Sequence, residues 1–229
     1  MANYPRYAIY YTSAPGSALD RFGASLLGYD AHSGEDLPFP DGLPPDWRDL
    51  TQDPRKYGFH ATLKAPITLA DGKGEARLAA ACELFADLAR PVPLIRPVVD
   101  SISGFIAIIP TEPSADLDLL AAEATKAFDP FRAPLTAEDR ARRNPDKLTP
   151  RQRDYLDRWG YPYVFEEFRF HMTLTGRLPA ERREPVVAML RERFAATGLE
   201  TLAIDAIALC RQDGANSRFQ VIGRWQLHD

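Results

Sequence analysis

The sequence predicts an α+β fold made of two similar halves, with antiparallel strands and helices packed outside them. Two observations carry this prediction. Residues 59–63 and 170–174 are near copies, Phe-His-Ala-Thr-Leu and Phe-His-Met-Thr-Leu, and the segments after each copy repeat one order of elements. Strands and helices of both kinds place the chain in the α+β class. We expect one bilobal domain over residues 1–229, with two antiparallel sheets related by a pseudo-twofold axis.

The chain opens with a strand, a turn and a helix. Residues 6–11 are rich in aromatic and branched side chains and end at a turn that contains Pro15 and Gly16. Apolar residues with helical spacing follow over residues 17–27. Between residues 36 and 54, five prolines and an Asp-Gly pair argue against any regular element. We expect a long loop there, of the kind that often forms a lid.

Each histidine segment then begins a unit of strand, helix, strand and strand. The first unit has the His60 strand, a helix over residues 74–89, and strands over 94–100 and 105–110. The second unit has the His171 strand, a helix over residues 179–196, and strands over 202–210 and 218–226. Between the units, residues 114–159 are predominantly helical. Two like units suggest that the two motif strands face each other across a cleft.

The motifs themselves indicate the chemistry. On a strand, side chains two residues apart share a face, so His60 lies beside Thr62 and His171 beside Thr173. Two imidazoles and two hydroxyls supply a general acid, a general base and two hydrogen-bond donors without any metal. One histidine would take a proton from water and the other would protonate the leaving alkoxide, while the threonines hold the phosphate oxygens. The sequence leaves open which histidine is the acid.

Further side chains are predicted to bind the substrate. Lys64 follows Thr62 by two residues, and the same period places it on the motif face. Arg169 precedes His171 by two residues, so both cations would attract phosphate. Arginine forks suit a phosphate and aromatic faces suit a ring. The other candidates are Arg132, Arg142, Arg143, Tyr163 and, on the first strand, Tyr7 and Tyr11.

With these motifs, the chain resembles the 2H phosphoesterase superfamily, which is named for two His-x-Thr/Ser motifs. A closer resemblance is to an uncharacterised bacterial branch that is often associated with phosphonate-utilisation genes. It is carried by residues 57–66, 159–164 and 168–171, and also by 131–135 and 148–152. The resemblance implies a bilobal fold with a central cleft and metal-independent action on cyclic phosphodiesters or 2′-5′ linked nucleotides. It does not fix the substrate.

The composition limits the partners. A formal net charge of −4 over 229 residues argues against a broad surface for long nucleic acid. A small phosphorylated substrate is expected, an RNA end is an alternative, and no cofactor is expected. Cys82 and Cys210 do not have the sequence spacing of a metal-binding cysteine pair. Both side chains are expected to be buried, and only two cysteines in a chain of this size suggest a reducing compartment. No acidic residue lies at metal-ligand spacing near either histidine, so no metal site is expected.

The remaining expectations concern location and competing functions. The N-terminus has no export signal, and no segment has the roughly twenty apolar residues of a membrane span, so a soluble, cytoplasmic chain is expected. A monomer is expected as well. The sequence has no Gly-x-Ser-x-Gly nucleophile turn and no Gly-rich phosphate loop. Two alternatives remain open: a binding module for a nucleotide or RNA end without chemistry, and RNA end processing or ligation.

Overall fold

The computed structural model describes residues 4–229. The strands are β1 (Arg6–Tyr11), β2 (Ala61–Ile67), β3 (Leu94–Ile95), β4 (Pro97–Ile102), β5 (Phe105–Pro110), β6 (Met172–Thr173), β7 (Leu202–Ala203), β8 (Ala206–Gln212) and β9 (Gln220–Gln226). The helices are α1 (Ala18–Leu27), α2 (Trp47–Leu50), α3 (Gln52–Arg55), α4 (Glu75–Asp87), α5 (Ala115–Phe128), α6 (Ala137–Ala141), α7 (Pro150–Trp159) and α8 (Ala180–Ala195). Short 3₁₀ helices occur at Asp129–Phe131, Pro145–Lys147 and Phe165–Glu167.

Seven strands form one antiparallel sheet in the order β4-β5-β6-β2-β1-β8-β9, and β3 pairs with β7 in a separate two-stranded sheet. The α+β class with antiparallel strands is confirmed. One detail of the expectation changes, because the motif strands β2 and β6 pair with each other and join the two halves into a single sheet. Pairing satisfies backbone groups that two separate sheet edges would leave open. The motifs therefore lie side by side rather than facing each other across a gap.

The main core lies on one face of the sheet, under α4, α5 and α8. Strand side chains that point to this face, such as Ile9 and Leu209, pack with Leu78 of α4, Phe128 of α5 and Leu190 of α8. All five are at most 2% exposed. The helices therefore cover this face and leave the opposite face of the central strands for the motifs. Both cysteines are buried, as expected.

The proline-rich loop before β2 is more regular than expected. It contains α2 and α3, because its prolines precede α2 or fall in the first turn of α3, where a missing N–H costs little. The Trp47 indole donates to the Leu26 carbonyl at 2.7 Å, and Arg182 of α8 pairs with Asp46. These contacts fasten the segment to α1 and α8. None of the helices in the described part of the chain has the length and apolar character that crossing a membrane requires.

Candidate active site

The two histidine motifs are neighbours at the centre of the seven-stranded sheet. β2 and β6 run antiparallel with Ala61 directly opposite Met172, and both of these side chains are buried in the core. Away from this pair, the register sets each motif threonine opposite the histidine of the other strand. Opposite side chains on one sheet face have Cβ atoms about 4.5–5.5 Å apart. The antiparallel register therefore gathers both histidines and both threonines on one face.

His60 is held in one orientation by its own backbone. Its Nδ1 lies 2.9 Å from the Gly58 carbonyl oxygen. A carbonyl only accepts, so Nδ1 carries the hydrogen and the Nε2 lone pair of the neutral ring is free to take a proton. Nε2 lies 3.3 Å from the Thr62 hydroxyl. Gly58 has φ 73°, and a Cβ there would come within 2.5 Å of the Ala31 Cβ, so this turn requires glycine.

His171 repeats the arrangement. Its Nδ1 lies 2.7 Å from the Arg169 carbonyl oxygen, again two residues earlier in the chain. The same reasoning places the hydrogen on Nδ1 and frees Nε2. Two independent strand starts therefore present the same atom of an imidazole, in the same tautomer, on one face of the sheet.

The surroundings of the two rings lower both pKa values. Burial lowers the pKa of His60 from 6.5 to about 4; the bond to the Gly58 carbonyl opposes this shift and the nearby His171 adds to it. Burial also lowers the pKa of His171, against the effect of the Arg169 carbonyl. Tyr10 stacks on His60, with ring centroids 3.8 Å apart. Both rings are therefore largely neutral near pH 7 in the unliganded protein.

A pocket of about 370 Å³ opens where β2 and β6 stop pairing, and we call it the motif pocket. Thr62 and His171 line it, and His60 adjoins it through the Thr62 hydroxyl. Aromatic side chains form much of the remaining wall. They are Phe105, Trp159, Tyr161, Tyr163, Phe165 and Phe168. A ring-bearing ligand fits such a wall, and its phosphate would meet Thr62 and His171, whereas Thr173 is not part of the pocket lining.

Two arginines also line the motif pocket. Arg169 was expected here, and its guanidinium donates to the Glu166 and Phe168 carbonyls. Arg177 was not anticipated, because β6 ends at Thr173 and the period of two no longer applies beyond it. Neither arginine forms an ion pair with a carboxylate within residues 4–229. Both therefore keep their charge for an anionic ligand.

Lys64 does not lie on the motif face, because β2 contains a bulge. Tyr10 pairs with Thr62 but Ile9 pairs with Lys64, so Leu63 is an extra residue. The extra residue reverses the alternation, and Lys64 turns with Ile9 toward the helices. The expectation that Lys64 shares the face of Thr62 was therefore wrong, although Lys64 is among the residues that line the motif pocket.

Lys64 is used in a buried ion pair instead. It is 3% exposed, and its Nζ lies 2.7 Å from Asp129 Oδ1 and 3.4 Å from the Thr125 carbonyl. Burial lowers the pKa of Lys64, against the effect of Asp129. Burial alone would raise the pKa of Asp129, but the hydrogen bonds from Arg132 and Lys64 outweigh it and lower that pKa. Lys64 and Thr125 both line the motif pocket, and the charge of Lys64 there is offset by Asp129.

Tyr7 and Tyr11 also point away from the motifs, contrary to the prediction. Both belong to the main core under the helices. The Tyr7 hydroxyl donates to Glu75 at 3.0 Å, and that of Tyr11 donates to the Ala203 carbonyl at 3.2 Å. Because side chains alternate along a strand, Tyr10 lies on the motif face instead. The sequence spacing alone shows that Tyr10 faces opposite to Tyr7 and Tyr11, but which of them lies on the motif face is known only after the orientation of the sheet is known.

The four remaining candidates lie in two places. Tyr163 is 46% exposed and lines the motif pocket, with its ring against Tyr161. Arg132, Arg142 and Arg143 line a second pocket instead. Among residues 4–229, no group of three or more His, Cys, Asp or Glu side chains is arranged to hold a metal ion.

Comparison with known proteins gives a family and two curated relatives. A family model described as "Protein of unknown function (DUF1045)" matches residues 62–220. A protein of Janthinobacterium sp. (strain Marseille) named ribose 1,5-bisphosphate phosphokinase PhnN is 36% identical over 225 residues, 93% of this chain and 49% of that protein. A protein of the same name from Laribacter hongkongensis (strain HLHK9) is 34% identical over 174 residues, 76% of this chain and 40% of that protein. The chain spans about half the length, or less, of these relatives.

Solved structures that match this chain have low sequence identity to it. One, described as a phosphoesterase, has a TM-score of 0.45 and 13% identity, and the match covers 99% of this chain and 100% of that one. Another, E. coli LigT complexed with NADP⁺, has a TM-score of 0.46 and 14% identity over the whole of both chains.

Proposed function

The chain belongs to the DUF1045 family, whose function is unknown, and we propose that it is a metal-independent phosphodiesterase that hydrolyses a small cyclic phosphodiester. One observation carries the proposal. Two histidines on adjacent strands each use Nδ1 to bond a backbone carbonyl two residues earlier, which leaves both Nε2 atoms free of the backbone, and the Thr62 hydroxyl lies 3.3 Å from Nε2 of His60. That arrangement suits one proton removal and one proton delivery around a single phosphorus atom.

In the proposed reaction, the oxygen of a water molecule forms a bond to phosphorus while the bond from phosphorus to the ring oxygen breaks. Nε2 of one neutral histidine accepts the proton of the attacking water. Nε2 of the other, protonated, histidine delivers its proton to the departing oxygen. The product is a phosphate monoester with a free hydroxyl. Each proton transfer contributes about 10²–10⁴-fold to the rate.

We assign His60 as the base and His171 as the acid. With a pKa of about 4, His60 stays neutral at any pH near neutrality and is ready to accept a proton. His171 lines the motif pocket beside Phe105, where a phosphate anion would favour its charged form. The two environments therefore separate the two roles.

The threonines and arginines would hold the phosphate during the reaction. Each motif threonine lies opposite the other strand's histidine, so its hydroxyl can donate to a non-bridging oxygen while that histidine moves a proton. Arg169 and Arg177 line the same pocket without a carboxylate partner in the described chain, and their charge offsets that of the transition state.

The substrate class follows from the aromatic wall and the relatives. Six aromatic side chains around about 370 Å³ suit a nucleoside or sugar ring better than a long RNA. The relatives' name and the resemblance to a branch associated with phosphonate utilisation both favour a phosphorylated sugar or nucleotide. The chain has no Gly-rich phosphate loop. We therefore infer that the kinase activity in the relatives' name lies in the part of them that this chain does not match.

The test is hydrolysis of 2′,3′-cyclic nucleotides, cyclic sugar phosphates and 2′-5′ linked dinucleotides in the presence of EDTA. Wild type is compared with His60→Ala, His171→Ala and His32→Ala, the last a matched control because His32 belongs to neither motif and its imidazole lies beside Asp20 instead. We expect turnover that resists EDTA and falls at least about 10²-fold in each motif variant but not in the control. Equal turnover in wild type and both motif variants would rule the mechanism out. Tight binding of a cyclic nucleotide without turnover would instead indicate a binding module.

A further inference from the structure

A second pocket, which we call the basic pocket, lies beside the motif pocket and has a volume of about 360 Å³. Its charged lining consists of five cations and one carboxylate. These residues are Arg6, Lys56, Arg132, Arg142, Arg143 and Asp139. They come from β1, the segment before β2, the segment after α5, and α6 with the turn that follows it. Distant parts of a chain with net charge −4 thus converge to make a positive cavity.

Three of the cations have carboxylate partners. Lys56 pairs with Asp53 at 3.3 Å, and both of these residues are exposed. Arg132 pairs with Asp129 at 2.8 Å. Arg142 pairs with Asp139. The Lys56 pair contributes little to stability, because water screens exposed pairs.

The other two cations are held by neutral groups. Arg6 donates from Nε to the Gln212 side-chain oxygen at 2.9 Å, and its guanidinium lies 5.5 Å from the centre of the Phe219 ring. The guanidinium of Arg143 lies 5.0 Å from the centre of the Tyr161 ring. Neither has an ion-pair partner among the described residues. Aromatic rings and an amide hold these two guanidinium groups in place but do not offset their positive charge. An arginine in this state can donate two hydrogen bonds to a phosphate and also attract its negative charge.

The basic pocket is continuous with the site. Pro66, Ile67 and Gly160 line both pockets. Tyr161, on which Arg143 rests, is part of the wall of the motif pocket. Tyr57 lines the basic pocket, and its ring centre is 6.1 Å from that of His60. A ligand whose phosphodiester meets the motif histidines can therefore extend past Gly160 into the basic pocket.

We propose that the basic pocket binds a second phosphate group of the substrate, so that the substrate is a small phosphodiester that also carries a terminal phosphate monoester. This inference rests on the proposed phosphodiesterase activity and narrows its substrate class. A terminal monoester carries nearly two negative charges, whereas the next phosphate of an RNA strand carries one. The two positive charges of Arg6 and Arg143, which no carboxylate in the described chain offsets, match the nearly two negative charges of the monoester.

The experiment compares cytidine 2′,3′-cyclic phosphate with the same compound bearing a 5′-phosphate. Wild type should prefer the 5′-phosphorylated substrate by at least about tenfold in kcat/KM, because a charge-assisted hydrogen bond to phosphate is a strong one. Arg6→Gln and Arg143→Gln should each reduce this preference about tenfold, mainly through KM. Arg151→Gln is the matched control, because Arg151 is exposed and lines neither pocket.

Binding of cytidine 5′-monophosphate to the His60→Ala/His171→Ala variant is measured in parallel by calorimetry. It should weaken when Arg143→Gln is added and not when Arg151→Gln is added. If kcat/KM is the same with and without the 5′-phosphate and does not change in Arg6→Gln or Arg143→Gln, the second phosphate site is wrong. The proposed phosphodiesterase activity is not affected by that result. Binding that depends on Arg143, without turnover of either cyclic substrate by the wild type, supports the phosphate site while the phosphodiesterase fails.

Discussion

The phenol ring of Tyr10 lies almost flat on the imidazole of His60, with centroids 3.8 Å apart and an angle of 27° between the planes. The Tyr10 hydroxyl is itself buried and has no hydrogen-bond partner among the described residues. The stack therefore covers one face of the imidazole with apolar surface and excludes water from it. His171 has only a tilted contact with Phe105 at 5.4 Å and faces the motif pocket. This asymmetry separates two motifs that are nearly identical in sequence.

The first prediction is an acidic pH optimum for kcat/KM. A base must be neutral, so activity falls as pH drops through the His60 pKa of about 4. An acid must be protonated, so activity also falls as pH rises through the lowered pKa of His171, below 6.5. We expect a bell-shaped profile with its maximum between about pH 4 and 6.5. Rates measured from pH 3.5 to 9 check it, and a maximum above pH 7 would contradict it.

A second prediction concerns the stack itself. Tyr10→Ala removes the cover from His60 and admits water, which favours the charged imidazole. The His60 pKa should rise toward 6.5, and the acid side of the rate profile should move to higher pH with it. Imidazole proton shifts followed by NMR during a pH titration measure the change. Tyr11→Ala is the control, because Tyr11 lies on the opposite face of β1 and should leave the His60 titration in place.

The assignment of acid and base can be tested by changing the leaving group. A p-nitrophenyl phosphodiester releases a stable anion that needs no proton, whereas an alkyl or cyclic ester releases an alkoxide that does. His171→Ala should therefore lose about 10²–10⁴-fold on the cyclic ester and much less on the p-nitrophenyl ester. His60→Ala should lose activity on both. The reverse pattern would exchange the two roles.

The threonines give a fourth prediction. Thr62→Val and Thr173→Val keep the shape and strand preference of the side chain but remove one donor to the phosphate. Each should lower kcat by roughly 10²-fold, because each hydroxyl is proposed to hold a non-bridging phosphate oxygen. Thr111→Val, at an exposed position, serves as the control. A variant with full kcat would remove that threonine from the mechanism.

The sequence predicted most of the element order, though not α2 and α3, and the shared face of each motif, because both depend on local periodicity. It failed where the period breaks. The bulge at Leu63 turned Lys64 into the core, and no local signal marks a bulge of this kind. Tyr7 and Tyr11 were assigned to the motif face, although Tyr10 lies there, because alternation alone cannot say which set of side chains faces the helices. The partner of Lys64 is 65 residues away, which only the fold reveals.

The ion pair of Lys64 with Asp129 yields a stability prediction. Asp129→Asn leaves the Lys64 ammonium buried without a carboxylate, and we expect a loss of about 3–5 kcal/mol in the free energy of unfolding. Lys64→Met should cost less, because Asp129 keeps its pair with Arg132. Lys56→Met, in an exposed pair, should change stability by less than about 1 kcal/mol. Urea unfolding measures all three, and a larger loss for Lys64→Met than for Asp129→Asn would contradict the argument.

The turn at Gly58 links the fold directly to the position of the imidazole. Gly58→Ala strains a positive φ and drives the new Cβ to 2.5 Å from that of Ala31, so the carbonyl that holds His60 Nδ1 must shift. Gly72→Ala is the matched control: its φ is 75° and no atom lies within 4 Å of the new Cβ, so it should lose only the backbone cost of about 1–2 kcal/mol.

We expect Gly58→Ala to lose more stability than Gly72→Ala and also to lower kcat, because His60 is no longer held in one tautomer. Adding Ala31→Gly to Gly58→Ala removes the atom that clashes. If the clash is the cause, this second substitution should recover kcat while the backbone cost in stability remains. Failure to recover kcat would show that the positive φ itself, and not the contact with Ala31, fixes the carbonyl on which the His60 imidazole depends.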